Sequence, residues 1–135
     1  MVGCASPSNK VYTASELVAD AKSRIVEISV ADVANKSKPI LVDVREPYEF
    51  RRGFVPGAHN IPRGRLEWAI TGHPMLKALA DDEKKSAEII VYCRSGARGA
   101  LATDTLQKLG YTNVRSMQGG FLAWESAELT VEKPN

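Results

Sequence analysis

Two short, largely apolar runs mark the middle of the chain, and polar or loop-forming residues bound each of them. Residues 40–44 and Ile89–Tyr92 are both rich in β-branched side chains. Runs of this length and composition predict strands buried inside a parallel sheet. Shorter strand candidates are found at Val26–Ile28, residues 59–61 and residues 113–117.

Helical patterns separate these strand candidates. Residues 15–22 and 29–34 each begin at a serine suited to an N-cap. The best helix pattern covers about residues 97–109, and Gly110 after it is suited to a left-handed C-terminal cap. Its buried face is predicted to consist of Ala102, Leu106 and Leu109. This alternation predicts an α/β domain, with helices on both faces of a mainly parallel sheet.

Length and composition limit the class of protein. The 135 residues, of which 44% are hydrophobic and 25% charged, match one globular domain rather than a disordered chain or a disulfide-based scaffold. The sequence predicts a flexible lead-in over residues 1–12, the domain over residues 13–126 and a C-terminal tail over residues 127–135. The net charge is only +2 and basic residues alternate with acidic ones, so we expect no nucleic-acid partner.

The start of the chain leaves two locations open. No apolar run is long enough for a transmembrane segment, and the chain as it stands is expected in the cytoplasm. Residues 1–7, however, resemble the cleavage box of a bacterial lipoprotein, in which Cys4 would be lipidated. The alternative is therefore a periplasmic lipoprotein whose signal peptide has been trimmed.

The chain has two cysteines, Cys4 and Cys93, which do not make a disulfide framework. There is no Cys-x-x-Cys motif, and His59 and His73 lack the spacing of helical metal ligands. We therefore predict neither a metal nor another cofactor, and Cys93 needs its own explanation.

Cys93 lies where a strand passes into a helix. It follows Ile89–Tyr92 and precedes the helix predicted to begin near Ala97, and sites in open α/β sheets form beyond the carboxyl ends of strands. The first amides of a helix are unpaired and carry the positive end of its dipole. Arg94 and Arg98 add positive charge, and such surroundings favour the reactive thiolate.

The small residues after Cys93 predict an anion cradle. Gly96 permits unusual backbone angles, and Ser95 and Ala97 add little bulk, so successive N–H groups can turn inward. The sequence therefore predicts Cys93 as a nucleophile, with residues 94–98 binding an anionic substrate. The alternative is that Cys93 is a small buried hydrophobic residue.

A series of short motifs in fixed order resembles the rhodanese family, and specifically its single-domain sulfurtransferases. The motifs lie at residues 41–46, 48–50, 55–62, 93–98, 109–111 and 119–124. The resemblance covers a family core of about residues 25–126 and leaves an extra N-terminal helix before it. It implies a five-stranded, mainly parallel sheet flanked by helices, with a six-residue active loop.

In rhodaneses the loop cysteine takes the outer sulfur of thiosulfate as a persulfide and passes it to cyanide or a thiol. The resemblance thus implies an enzyme of the thiosulfate sulfurtransferase type, with Cys93 as the nucleophile and persulfide carrier. The amides of residues 94–98 would cradle the persulfide, and Arg94 and Arg98 would attract the anionic donor. The alternative is a persulfide carrier or regulatory binding module without turnover, acting with a sulfur-accepting protein.

Loop length separates this chain from phosphatases of the same fold, which have five residues between cysteine and arginine. Here four residues separate Cys93 from Arg98, and the shorter loop favours sulfur over phosphate or arsenate.

Several other residues have predicted roles. Asp43 is expected to be structural, accepting loop amides or pairing with an arginine such as Arg45. Arg63 and Trp68 are candidate rim residues of the pocket; Arg63 would help to select an anionic donor, or else be an ordinary solvated arginine. Trp68 and Trp124 are expected to act mainly by packing.

Overall fold

The computed structural model describes residues 10–134. Cys4 and most of the predicted lead-in therefore lie outside the described residues. Within the described range, five strands form one sheet. They are β1 (Val26–Ile28), β2 (Ile40–Asp43), β3 (His59–Asn60), β4 (Ile89–Tyr92) and β5 (Val114–Met117).

The strands run in the order β1-β5-β4-β2-β3, and every neighbouring pair is parallel. The predicted five-stranded parallel sheet is therefore confirmed. Because all strands point the same way, the carboxyl ends of β2 and β4 lie at the same end of the sheet. The residues after Asp43 therefore lie close to Cys93.

Seven α-helices accompany the sheet in the described part of the chain. They are α1 (Ala14–Lys22), α2 (Val30–Ala34), α3 (Pro47–Phe50), α4 (Leu66–Ala69), α5 (Asp81–Lys84), α6 (Ala97–Lys108) and α7 (Gly120–Ser126). The predicted helices are confirmed as α1, α2 and α6. The unpredicted ones are short, and an element of one or two turns shows no readable period. None of these helices has the length and apolar character needed to cross a membrane.

The sheet separates two buried clusters, because successive residues of a strand face opposite sides. Ile89 packs in one cluster with Leu106 of α6, whereas Tyr92 packs in the other with Trp124 of α7. Helices therefore cover both faces, as predicted, and Trp124 has the predicted packing role. Cys93 belongs to the cluster beneath α6.

The end of α6 corrects one detail of the predicted core. Leu109 is exposed rather than buried, because the helix ends there in a Schellman cap. The Tyr111 amide donates to the Leu106 carbonyl at 3.1 Å and the Gly110 amide to that of Gln107 at 3.0 Å. This cap folds Tyr111 onto Leu106, and Tyr111 occupies the core in place of Leu109.

The residues after α7 are attached to the domain, although the sequence suggested a tail. Phe54 and Glu132 form an antiparallel bridge, with N···O distances of 2.8 and 2.9 Å. The indole N–H of Trp124 donates to the Thr130 carbonyl at 2.8 Å. Leu129 and Val131 pack against the cluster that contains Trp124. We call residues 129–132 the C-terminal strap.

Candidate active site

The Cys93 loop connects β4 directly to α6. Cys93 is buried, and Gly96 before the helix has a φ of 111°, which a side chain would strain. This conformation lets the Gly96 amide donate to Sγ of Cys93 at an N···S distance of 3.1 Å. The sulfur thus has an N–H donor at the start of a helix, a position that favours negative charge.

Helix α7 fixes the other side of the loop. The Phe121 amide donates to the Cys93 carbonyl at 2.8 Å, and the Leu122 amide donates to the Arg94 carbonyl at 3.0 Å. In a trans peptide the N–H points opposite to the carbonyl, so the amides of Arg94 and Ser95 point away from α7. Neither makes a backbone hydrogen bond within residues 10–134, and both remain available to a ligand.

The loop touches α7 at Gly120. A Cβ on Gly120 would lie 2.5 Å from the carbonyl oxygen of Cys93 and 2.6 Å from that of Arg94. Its φ of 61° also lies in the left-handed region. Only glycine therefore lets α7 approach closely enough to bind the two loop carbonyls.

The sequence suggested that Arg98 is an unpaired cation that attracts the anionic donor. In the structure, Glu49 of α3 binds Arg98. Two guanidinium nitrogens of Arg98 donate to the two carboxylate oxygens of Glu49 at 2.7 and 3.0 Å. These hydrogen bonds, helped by the Glu46 amide and opposed by burial, lower the pKa of Glu49 to about 2. The same bonds raise the pKa of Arg98, to which Cys93 makes a smaller contribution.

A buried ion pair supports the loop after β2. Asp43 Oδ2 accepts from Arg45 Nη2 at 2.7 Å, and the same nitrogen donates to the Gly53 carbonyl at 2.7 Å. Arg45 also lies over the Phe121 ring, with 4.3 Å from Cζ to the ring centroid. The predicted structural role of Asp43 is confirmed, and the pair ties the β2 edge to α7.

A cleft of about 380 Å³ opens beside the loop. Its walls include Tyr48, Glu49, Arg52, Arg94, Leu122 and Glu125. The sequence predicts a site role only for Arg94 among them, because α3 and α7 show no local sign that they meet the Cys93 loop.

The two candidate rim residues do not line this cleft. The guanidinium of Arg63 donates to Glu67 at 3.1 Å and to Thr105 of α6 at 3.0 Å. Trp68 is 77% exposed and lines a separate hollow with Arg65. The expectation that Trp68 packs in the core is wrong, because α4 turns the indole toward solvent while Leu66 fills the core.

Within residues 10–134, no three histidine, cysteine, aspartate or glutamate side chains lie close enough together to hold a metal ion. The polar groups of the loop itself include the thiol of Cys93, the backbone amides and the arginines. A cysteine sulfur that accepts an amide N–H at a helix start, beside loop amides that are open to a ligand, is suited to nucleophilic attack on an anionic substrate.

Comparison with known proteins links this geometry to one family. A family model described as Rhodanese-like domain matches residues 29–127. A human thiosulfate:glutathione sulfurtransferase is 38% identical over 92 residues, which cover 65% of this chain and 80% of the relative.

Two solved structures are similar over most of their length. A human single-domain sulfurtransferase has a TM-score of 0.64 and 33% identity, with 74% of this chain and 95% of that one covered. A Rhodopseudomonas palustris protein of unknown function, described as a possible tyrosine phosphatase, has a TM-score of 0.75 and 30% identity. The match covers 94% of this chain and 99% of that one.

Proposed function

The chain belongs to the rhodanese-like family of sulfurtransferases, and from this membership we propose that it moves sulfane sulfur from thiosulfate, or a similar donor, to a thiophilic acceptor. Cyanide and thiols are such acceptors. Cys93 is the nucleophile and carries the sulfur as a persulfide between the two steps.

The backbone N–H groups around the Cys93 sulfur support the proposal. Sγ lies at a helix start and accepts the Gly96 amide at 3.1 Å. The amides of Arg94 and Ser95 make no backbone hydrogen bond within the described range. A persulfide places its negative charge on one further sulfur, and donors that are still unpaired can stabilise it there.

Both steps conserve atoms and electrons. The Cys93 thiolate attacks the outer sulfur of thiosulfate, the S–S bond of thiosulfate breaks, and sulfite leaves with the bonding electron pair. The acceptor then attacks the outer sulfur of the persulfide, and the electron pair of that S–S bond returns to Cys93. The enzyme thus alternates between thiolate and persulfide, as in a ping-pong mechanism.

The two loop arginines contribute differently to this chemistry. Arg94 is exposed and forms no ion pair with another described residue, so it supplies open charge for the anionic donor. Arg98 is held by Glu49 at 2.7 Å, which makes it mainly a positioning residue for the loop.

Sulfur loading tests both the residue and the reaction. Incubation with thiosulfate should add the mass of one sulfur atom to the native chain and nothing to Cys93→Ser, as measured by intact-protein mass spectrometry. Cyanide should then remove the added sulfur as thiocyanate. A native chain that takes up no sulfur, from thiosulfate or from a small persulfide donor, would refute the proposal.

A carrier that serves only a protein partner is the alternative within the same chemistry. It would load at Cys93 equally fast but turn over poorly on cyanide and small thiols. Steady-state turnover on cyanide therefore distinguishes the enzyme from the carrier.

Phosphatase activity is a second candidate, because one structural relative is described as a possible tyrosine phosphatase. The loop opposes it, since Nη1 and Nη2 of Arg98 each donate to Glu49, which pairs the Arg98 charge with a carboxylate. Hydrolysis of p-nitrophenyl phosphate that depends on Cys93 would favour this candidate.

A further inference from the structure

Trp68 presents a large apolar side chain to solvent. It is 77% exposed, whereas Leu66 of the same short helix is fully buried. A single exposed leucine or valine is normal on a protein surface, but an indole has a far larger apolar area. The packing of α4 does not explain why this area is left uncovered.

Arg65 lies on the same side of this segment as Trp68. The two residues are three apart, a spacing that brings side chains together on a helix, and both line one open hollow of about 360 Å³. Arg65 is exposed and forms no ion pair with any residue in the range 10–134. Its guanidinium is therefore available to an acceptor on another molecule.

Gly64 lines the same hollow, and the fold does not require a glycine there. Among the nine glycines of the described range, it alone has neither a φ in the left-handed region nor a neighbour within 4 Å of where a Cβ would lie. A glycine in a helical turn costs about 0.5–1 kcal/mol relative to alanine. The missing side chain keeps the hollow open, which benefits a ligand rather than the fold.

A second hollow adjoins the first. It has a volume of about 210 Å³, shares Arg65 and Ala69 with the first hollow, and is also lined by His73. Nδ1 of His73 accepts the Met75 amide at 3.1 Å, so the neutral ring carries its proton on Nε2 and donates from there.

The charge open to this surface is positive. Among the described residues, Arg65 is the only charged one that lines the two hollows. Glu67, the acid next to Trp68 in the sequence, is bound to Arg63 at 3.1 Å. A molecule that covers the surface therefore has to bring a negative charge for Arg65 and apolar atoms for the indole.

The arrangement favours a protein over other ligands. One open cation is too few for a nucleic acid, which needs a concentrated positive surface. Two adjoining open hollows also differ from the single enclosing pocket that is typical of small-molecule sites. Tryptophan and arginine, by contrast, are among the residues that most often dominate the binding energy of protein interfaces.

From these observations we infer that Gly64, Arg65 and Trp68 form a docking surface for an acidic segment of a partner protein. A carboxylate of the partner pairs with Arg65, and an apolar side chain enters the hollow over Gly64 and packs against the indole. This inference goes beyond the proposed sulfur transfer and does not depend on it.

Selection from a random peptide library tests the chemistry of the partner. Short random peptides displayed on phage are selected on the native chain, after removal of those that also bind a double variant with Arg65→Gln and Trp68→Ala. The enriched peptides should combine aspartate or glutamate with a leucine or an aromatic residue. No enrichment, or enrichment of basic peptides, would overturn the inference.

An enriched peptide, made synthetically, then locates the site. It should shift the backbone NMR signals of Arg65 and the indole N–H signal of Trp68, and leave that of the buried Trp124 unchanged. Arg65→Gln and Trp68→Ala should each raise its Kd at least about tenfold. Gly64→Ala should weaken binding by filling the hollow, yet unfold in urea at a concentration at least as high as the native chain.

Arg51→Gln is the matched control, because Arg51 is likewise an exposed arginine and lines neither hollow. It should leave the Kd of the peptide unchanged. Equal effects of Arg51→Gln and Arg65→Gln would overturn the assignment.

Other occupants of the surface give different results. A dimer of the chain that Trp68→Ala dissociates, seen by analytical ultracentrifugation, would show that a second copy covers the surface. AMP that shifts the Trp68 signal and displaces the peptide would show a nucleotide site. Either result would overturn the inference, whereas peptide binding by a chain that takes up no sulfur would support it and refute the proposed sulfur transfer.

Discussion

At the scale of single residues, Glu49 determines how the charges around Cys93 are distributed. It pairs the charge of Arg98 through two hydrogen bonds, and it leaves Arg94, the residue after Cys93, as an exposed cation of the loop. A bidentate pair between planar groups also fixes direction. Glu49 therefore orients the last residue of the Cys93 loop from outside the loop.

The pair predicts a pH-dependent contribution to stability. The pKa of Glu49 is about 2 in the folded chain, below its ordinary value of 4.5. Its contribution is therefore complete above about pH 4.5 and is lost as the pH falls toward about 2. Glu49→Gln should lower the free energy of unfolding by about 1–3 kcal/mol near neutral pH, and this difference from the native chain should vanish in acid.

Urea unfolding at several pH values measures this difference. Glu67→Gln is the control, because Glu67 makes a single, partly exposed contact with Arg63 and such pairs contribute about 0–1 kcal/mol. A difference for Glu49→Gln that stayed constant down to about pH 2 would contradict the assigned ion pair.

At the scale of elements, α7 constrains the Cys93 loop more directly than the strand that precedes it. Its first amides bind the carbonyls of Cys93 and Arg94, which directs the following amides toward a ligand. The sequence shows only a double glycine followed by aromatic residues, a pattern that is equally typical of a turn. The structure shows that the second glycine allows α7 to contact the Cys93 loop.

Gly120→Ala should destabilise the domain and distort the loop. Its Cβ would lie 2.5 Å from a backbone oxygen, and the φ of 61° adds backbone strain. We expect a loss of about 2–4 kcal/mol and a slower loading of Cys93 with sulfur, measured by unfolding and by mass spectrometry.

Gly57→Ala separates the two causes. Gly57 has a φ of 84°, and its Cβ would meet nothing within 4 Å. It should therefore lose only the strain of a left-handed alanine, about 1 kcal/mol, with normal sulfur loading. Equal losses for both variants would show that the contact between α7 and the loop is unimportant.

At the scale of the whole molecule, the C-terminal strap joins parts of the domain that are distant in sequence. It bridges Phe54 through Glu132 and holds the indole of Trp124 through Thr130. These contacts cover the cluster on the α7 side of the sheet. The strap thus stabilises α7, the helix that binds the Cys93 loop.

Truncation after Glu128 should lower the free energy of unfolding by about 2–3 kcal/mol, because it removes Leu129 and Val131, which pack against the cluster that contains Trp124. Trp124 would also lose its hydrogen bond, so its fluorescence should shift toward that of a hydrated indole. Truncation after Glu132 keeps the strap and should leave stability unchanged. If both truncated chains were as stable as the full chain, the strap would have no structural role.

The sequence alone predicts the five strands, three of the seven described helices and the loop between β4 and α6. The runs that became β2 and β4, the pattern of α6 and the step from Tyr92 through Cys93 to Gly96 are each contiguous. Local patterns report faithfully on such features, because burial periodicity, capping and strand-to-helix turns depend on neighbouring residues.

The surroundings of the Cys93 sulfur depend on contacts between elements that are distant in the chain. Glu49 lies 49 residues from Arg98 along the chain, and Gly120 reaches Cys93 from beyond β5. The exposure of Trp68 and the burial of Tyr111 in place of Leu109 likewise depend on how elements end and pack. Contacts between residues distant in the chain follow from packing rather than from local propensity, and they set the charges and the cleft beside Cys93.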